Sequence, residues 1–218
     1  MPLHSLELLP DQAGQQVILR DWRVLSEAGL RSQLEHRGAT NAPHLTLVAA
    51  AAIGPQVEAL AVELISPLLP IRVRCSGLLI LGARRVTVAR VVDVEDQVMA
   101  TVLRLRAAVD GPQHPGWLPH LTLARGLPRS DVQNAIDILG HDDVELSMTE
   151  LRRWDPGSRS GHVARDLPGG RRRGAHFPRR DLTQRETHVR TQIAKGRSNA
   201  GTAERPSMLQ RTVGMSPT

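Results

Sequence analysis

The chain has 218 residues, 40% hydrophobic but only 2% aromatic, with a formal net charge of +6. Its single cysteine rules out an intrachain disulfide and a Cys/His zinc framework, and no apolar run approaches the roughly 18 residues of a membrane span. Residues 168–218 hold 11 Lys+Arg and 3 Asp+Glu against 17 and 19 in residues 1–167, so the excess charge does not imply a basic groove in the body.

The N-terminus MPLHSLELLPDQ lacks the charged start and apolar stretch of a secretory signal, and a cytoplasmic location is expected. Residues 3–9 read as a strand, and residues 12–28 place Val17, Leu19, Trp22, Leu25 and Ala28 at helical spacing before Gly29. PHLTLVAAA from Pro43 reads as a strand, and PQVEALAVELISPL as a helix with Pro55 at its start. Three β-rich segments follow, IRVRC, GLLILG and RVTVARVVDV, with turn signals at Gly77 and residues 82–85. A helix over 95–109 leads through DGPQHPGW to a second PHLTL strand at Pro119, and a helix over 130–139 has Ser130 as its candidate N-cap. DVELSMTELRRW and GHVARDL close the body as an expected antiparallel pair.

From Pro168 the chain is rich in Arg, Gly, Ser, Thr and Pro and poor in bulky apolar groups. Such a segment buries too little surface to offset its ordering entropy. A disordered basic tail over 168–218 is therefore expected beside a folded body of residues 1–167. Its arginines 171–173, 179 and 180 could touch RNA phosphates without sequence preference, although a solvated extension is the plainer reading.

The pentapeptide Pro-His-Leu-Thr-Leu occurs at Pro43–Leu47 and again 76 positions later at Pro119–Leu123. The flanks repeat as well: each copy follows a helix and precedes a turn, a second helix and strands. The body thus reads as a duplicated α+β unit, two lobes about a pseudo-twofold axis. On a strand, alternate side chains share a face. His44 and Thr46 then point one way while Leu45 and Leu47 enter the core, and His120 and Thr122 do the same against Leu121 and Leu123. Facing lobes would bring two imidazoles and two hydroxyls to one cleft. Histidine titrates near neutral pH, so one ring can activate water while the other protonates a leaving oxygen. Threonine hydroxyls can donate to phosphate oxygens without adding charge. That set suits opening a cyclic phosphodiester without a metal or other cofactor.

Two His-x-Thr motifs, one per half, resemble the 2H phosphoesterase superfamily, and within it the bacterial 2′-5′ RNA ligase and RNA 2′,3′-cyclic phosphodiesterase branch. The resemblance covers about residues 1–167. It implies a duplicated two-lobed α+β fold, antiparallel sheets with outer helices and the motifs lining a central cleft. It implies His44 as acid toward the departing ribose oxygen and His120 as base toward water. Arg125, in the second copy's HLTLAR, falls where relatives often hold the substrate phosphate. The first copy, HLTLVAAAA, lacks the Phe and Gly common after the motif in relatives.

The plainer readings are strand histidines bonded to neighbouring backbone, threonines chosen for β propensity, and a surface arginine. A zinc site would need a third ligand, and no carboxylate or cysteine accompanies either motif. Trp117 and Trp154 are candidate base-stacking surfaces, more often partly buried core. Arg72 and Arg74 alternate onto one face, more simply a solvated edge, and Cys75 falls on the apolar side. His4 could face the groove, His36, His114 and His141 read as solvated, and His162 is open. The expected activity is opening of RNA 2′,3′-cyclic phosphate ends to a 2′-phosphate, with 2′-5′ joining in reverse, by a monomer that does not contact membranes. The alternatives are a small cyclic nucleotide substrate, such as a cyclic phosphate of ADP-ribose, or a nucleotide-binding module without turnover.

Overall fold

The computed structural model describes residues 3–36, 38, 41–156 and 161–163; readings that fall on the tail lie outside them. Among the described residues there are seven strands: β1 His4–Pro10, β2 Leu45–Ala50, β3 Ile71–Gly82, β4 Arg85–Asp93, β5 His120–Pro128, β6 Val144–Trp154 and β7 Gly161–Val163. Four helices accompany them: α1 Gln12–Glu27, α2 Pro55–Ile65, α3 Asp96–Ala107 and α4 Val132–Leu139. The strands are antiparallel in the order β1-β2-β5-β4-β3-β6-β7, and β1 also pairs with β6. That last pairing closes six strands into a ring, with β7 added to β6. The mixed α+β architecture with antiparallel strands is the one expected.

The ring has two lobes because β6 is shared and β2–β5 is nearly open. The first half of β6 pairs with β3, from Val144 to Met148, and the second half pairs with β1, from Met148 to Trp154. Opposite this, β2 and β5 meet at one residue pair, Leu45 with Leu121. Beyond it the two strands part. Their freed carbonyls must find other donors, since a buried unpaired backbone group is costly. Trp117 Nε1 donates to Thr46 O at 2.8 Å, Arg106 Nη1 to Leu47 O at 2.7 Å and Trp22 Nε1 to Thr122 O at 3.0 Å.

These bonds also show that the halves are exchanged. The helix preceding each motif serves the other lobe: α1 packs on β5 and α4, while α3 packs on β2 and α2. Gln113 N bonds to Ala49 O at 2.8 Å, so the loop before β5 covers the free edge of β2. Sequence halves and spatial lobes are therefore different partitions of the chain.

Local signals explain the element ends. Asp11 caps α1, accepting from Gly14 N at 2.8 Å, and Pro55 opens α2 after Gly54. In α3, Asp96 occupies the first turn and Arg104 and Arg106 the last, matching the helix dipole. Two expectations are corrected. IRVRC and GLLILG form one strand, β3, because a bulge at Ser76–Gly77, with Gly77 at φ +135°, absorbs the turn signal. Ser130 does not cap a helix at 130: Arg129–Asp131 is a 3₁₀ turn, α4 starts at Val132, and the Ser130 hydroxyl donates to Asp131.

The core lies between sheet and helices. Leu6, Leu8, Leu45, Leu47, Leu121, Leu123 and Leu127 meet Ile18, Trp22 and Leu25 of α1, Ala61 and Ile65 of α2, and Leu105 of α3. At about 1.5–3 kcal/mol per buried large side chain, this set dominates stability. Inside it sits one ion pair, Arg90 of β4 with Asp21 of α1, at 2.6 and 3.3 Å. Burial pushes the Arg90 pKa down, but the Asp21 carboxylate outweighs it and the net shift is upward. Cys75 is fully buried in the same layer, as its alternation implied.

Candidate active site

Each motif strand carries an extra residue at the same place. On β2, Val48 pairs with Leu6 and Thr46 with Glu7, leaving Leu47 without a ladder partner; on β5, Ala124 pairs with Val88 and Thr122 with Ala89, leaving Leu123. The two bulges are 76 positions apart, as the histidines are. Paired residues share a face, so the bulge reverses the alternation beyond it. Leu123 and Ala124 both enter the core. Arg125, which unbroken alternation would put with Leu121 and Leu123, returns to the face of His120 and Thr122, where it is exposed. The corresponding position on β2 is Ala49, which pairs with Ser5.

The four motif side chains turn away from the helices, toward the inside of the ring. Antiparallel register through Leu45–Leu121 sets His44 across from Thr122 and His120 across from Thr46. The strand junction that opens the ring is thus the place where both motifs meet. The Thr122 residue is 8% exposed and Thr46 is half-buried.

The imidazoles are held alike. Nδ1 of His44 lies 2.8 Å from Ala42 O, and Nδ1 of His120 lies 2.7 Å from Leu118 O. A carbonyl only accepts, so in both rings Nδ1 carries the hydrogen, and Nε2 is the nitrogen left to take or give a proton. Both bonds reach back two residues, across Pro43 and Pro119, whose fixed φ holds the acceptor in place. The backbone-bonded reading of these histidines is correct for Nδ1 and is what frees Nε2.

The symmetry fails in one respect. Glu7, 4% exposed, sits beside Thr46 with Oε1 3.7 Å from His44 Nε2. Arg152 of β6 grips its other oxygen through Nη2 at 2.6 Å and Nε at 3.0 Å, and Ser5 Oγ donates to Oε1 at 2.6 Å. The equivalent residue beside Thr122 is Ala89. Of the two motif histidines, only His44 therefore has a carboxylate at ion-pair distance among the described residues. Sequence reasoning missed Glu7 and Arg152, which lie 37 positions before and 108 after His44 and share its surroundings only through strand pairing. The one available signal was a glutamate within the apolar strand LHSLELL.

Other candidates separate. Trp117 is half-buried with its N–H on Thr46 O, and serves the strand rather than a ligand. Trp154 pairs with Ser5 and so lies on the inner face, half-buried. Arg74 meets Asp93 at 3.9 Å and Asp143 at 3.5 Å, a solvated edge. His4 Nδ1 lies 2.9 Å from Arg153 Nη2. His36, His114 and His141 are exposed, and the side chain of His162 lies outside the described residues. Among the described residues no three His, Cys, Asp or Glu side chains converge as a metal-binding group, and no helix is long and apolar enough to cross a membrane.

Residues 9–158 match the family model of the 2′-5′ RNA ligase superfamily. A solved structure described as "Crystal structure of phosphoesterase" is similar at 14% identity and a TM-score of 0.43, covering 75% of this chain and 94% of that one. No curated protein matches. The family match spans both His-x-Thr motifs and all four helices, and the chain belongs to the 2′-5′ RNA ligase superfamily of 2H phosphoesterases.

Proposed function

We propose that the protein is a metal-independent phosphodiesterase that opens a 2′,3′-cyclic phosphate at an RNA end to a 2′-phosphate. The observation that carries this is the Leu45–Leu121 pair, which sets both His-x-Thr motifs across one junction with both Nε2 atoms free of backbone partners. His120 Nε2 takes a proton from water as the water oxygen bonds to phosphorus. The P–O3′ bond breaks, and protonated His44 gives its Nε2 proton to the departing O3′. Thr46 and Thr122 donate to the non-bridging oxygens, and Arg125 pairs with their charge. Charge-assisted hydrogen bonds of this kind are about twice as strong as neutral ones, and two positioned proton carriers each contribute roughly 10²- to 10⁴-fold.

The position of Glu7 beside His44 supports this polarity. An acid must hold a proton before the reaction, and the Glu7 carboxylate is placed to pair with the protonated His44 ring. His120 has Ala89 there. With a 5′-hydroxyl in place of water, the same transfers would join the ends through a 2′-5′ linkage. A cytoplasmic, monomeric protein is the setting this reading assumes.

The test is hydrolysis of a short RNA ending in a 2′,3′-cyclic phosphate, in EDTA, by the full chain and by His44→Ala and His120→Ala. Turnover to a 2′-phosphate that falls at least 100-fold in either variant is expected. Full activity in one variant would refute the two-histidine mechanism. If the parent turns over only small cyclic nucleotides, the RNA-end assignment gives way to the small-nucleotide one.

A further inference from the structure

Five arginines gather at the rim of the second lobe, around Gly126. Arg125 adjoins it. Arg85, opposite Pro128, donates from Nη1 to Gly126 O at 2.9 Å. Arg31, from the loop after α1, places Nη1 3.3 Å from where a Gly126 Cβ would stand. Gly126 has φ +70°, so glycine is required there both for the backbone and for the approach of this guanidinium. Arg129 donates to Gly82 O at 3.2 Å, and its backbone N–H bonds to Arg84 O at 3.1 Å, which brings Arg84 and Arg129 onto the adjoining hairpin.

All five are exposed. Among the described residues only Arg31 has a carboxylate partner here, Glu35 at 3.4 Å, and the other nearby acid, Asp131, accepts from Ser130. Four arginines elsewhere on the sheet are neutralised, Arg90 by Asp21, Arg152 by Glu7, Arg153 by Glu58 and Asp155, and Arg74 by Asp93 and Asp143; exposed Arg72 of β3 has no carboxylate partner among the described residues and stands apart from the rim. At the matching positions of the first lobe Arg125 and Gly126 correspond to Ala49 and Ala50, followed by Ala51 and Ala52, and the arginine beside them, Arg153, which donates to Ile53 O at 3.1 Å, is paired with Glu58 and Asp155. One end of the groove thus carries arginines without carboxylate partners, and the other an arginine already neutralised.

We propose that this arginine rim binds the phosphodiester backbone of single-stranded RNA leading up to the reacting end. This rests on the RNA-end reading above. The rim runs into the site itself through Arg125 and Arg85, which share the inner face with Thr122, so its occupant is the remainder of a molecule whose end lies between the histidines. Guanidinium forks suit phosphate oxygens, and successive phosphates along a strand match a row of cations better than one anion does. A small nucleotide has nothing to place there.

Direct binding tests this without depending on turnover. Full-length parent and the triple variant Arg31→Gln, Arg84→Gln, Arg129→Gln are titrated into a labelled single-stranded RNA 12-mer ending in a 2′-phosphate, from 50 to 200 mM salt. The basic tail is common to both, so its contribution cancels in the difference of slopes. Each arginine–phosphate pairing removed should flatten log K against log salt by about 0.7, or about 2 for three. The parent should then lose about 20-fold more affinity than the variant across that range. The triple Lys variant should keep the parent's slope, which separates charge from local structure. Equal slopes for parent and Gln variant, or a Lys variant as flat as the Gln one, would overturn the proposal. Failure of the hydrolysis assay alone would instead strike the catalytic reading and leave this slope difference standing.

Discussion

Replacing Thr122 by Val removes one hydroxyl from the inner face and keeps everything else the residue does. It is 8% exposed, its carbonyl is held by Trp22 at 3.0 Å, and its ladder partner is Ala89. All of these depend on backbone or on β-branched bulk, which valine supplies. The hydroxyl itself bonds to no other described residue, so its removal leaves no orphaned partner. Stability should stay within about 0.5 kcal/mol, a Tm change under about 2 °C for a domain of this size. The transition state is another matter. A hydroxyl donating to a charged phosphate oxygen contributes about 1.5–3 kcal/mol, so kcat/KM for a 2′,3′-cyclic phosphate should fall about 10- to 150-fold. Steady-state hydrolysis together with thermal unfolding reads both quantities on one preparation. Unchanged kcat/KM at unchanged Tm would refute the phosphate role of Thr122, and a loss matched by unfolding would show that the hydroxyl serves the fold.

Glu7→Gln keeps the shape that Arg152 and Ser5 bind but removes the charge facing His44. The expected result is a kcat lower by about tenfold, one charge-assisted contact, with little change in KM; an unchanged kcat would make Glu7 purely structural. Asp21→Ala leaves the buried Arg90 with the Asp142 carbonyl alone. Such a loss destabilises by about 3–5 kcal/mol, lowering Tm by roughly 6–20 °C, and Asp21→Leu with Arg90→Met should restore most of it. A single-variant shift under about 2 °C would contradict a buried charge. Burial raises the Cys75 thiol from 9.0 to about 11, against Arg90, which lowers it. The native state then holds this proton where the unfolded chain has lost it. The thiol's contribution, about 3 kcal/mol, is complete below about pH 9 and disappears as pH rises toward about 11. Cys75→Ala should flatten stability over that window in denaturant melts; an unchanged slope would show that the thiol is not its source.

Much of this protein is written locally. Leucine and valine alternation named the strands, Pro55 marked a helix start, and the doubled pentapeptide located both histidines and both threonines, because each is a matter of neighbours along the chain. The face that His44, Thr46, His120 and Thr122 share followed from strand periodicity alone. Three things did not follow. The bulges at Leu47 and Leu123 reverse that periodicity, and only the ladder with β1 and β4 reveals them; they turn Arg125 toward the site. The exchange of α1 and α3 between lobes depends on which sheet face each helix covers, so Trp22 and Arg106 came to hold the opposite motif's neighbourhood through carbonyls far away in sequence. The near-symmetry of the motifs left the two histidines equivalent in sequence. Strand pairing distinguished them, by setting Glu7 beside one and Ala89 beside the other. Electrostatic difference between identical motifs is a property of what lies across the sheet, and the order of residues within each motif cannot encode it.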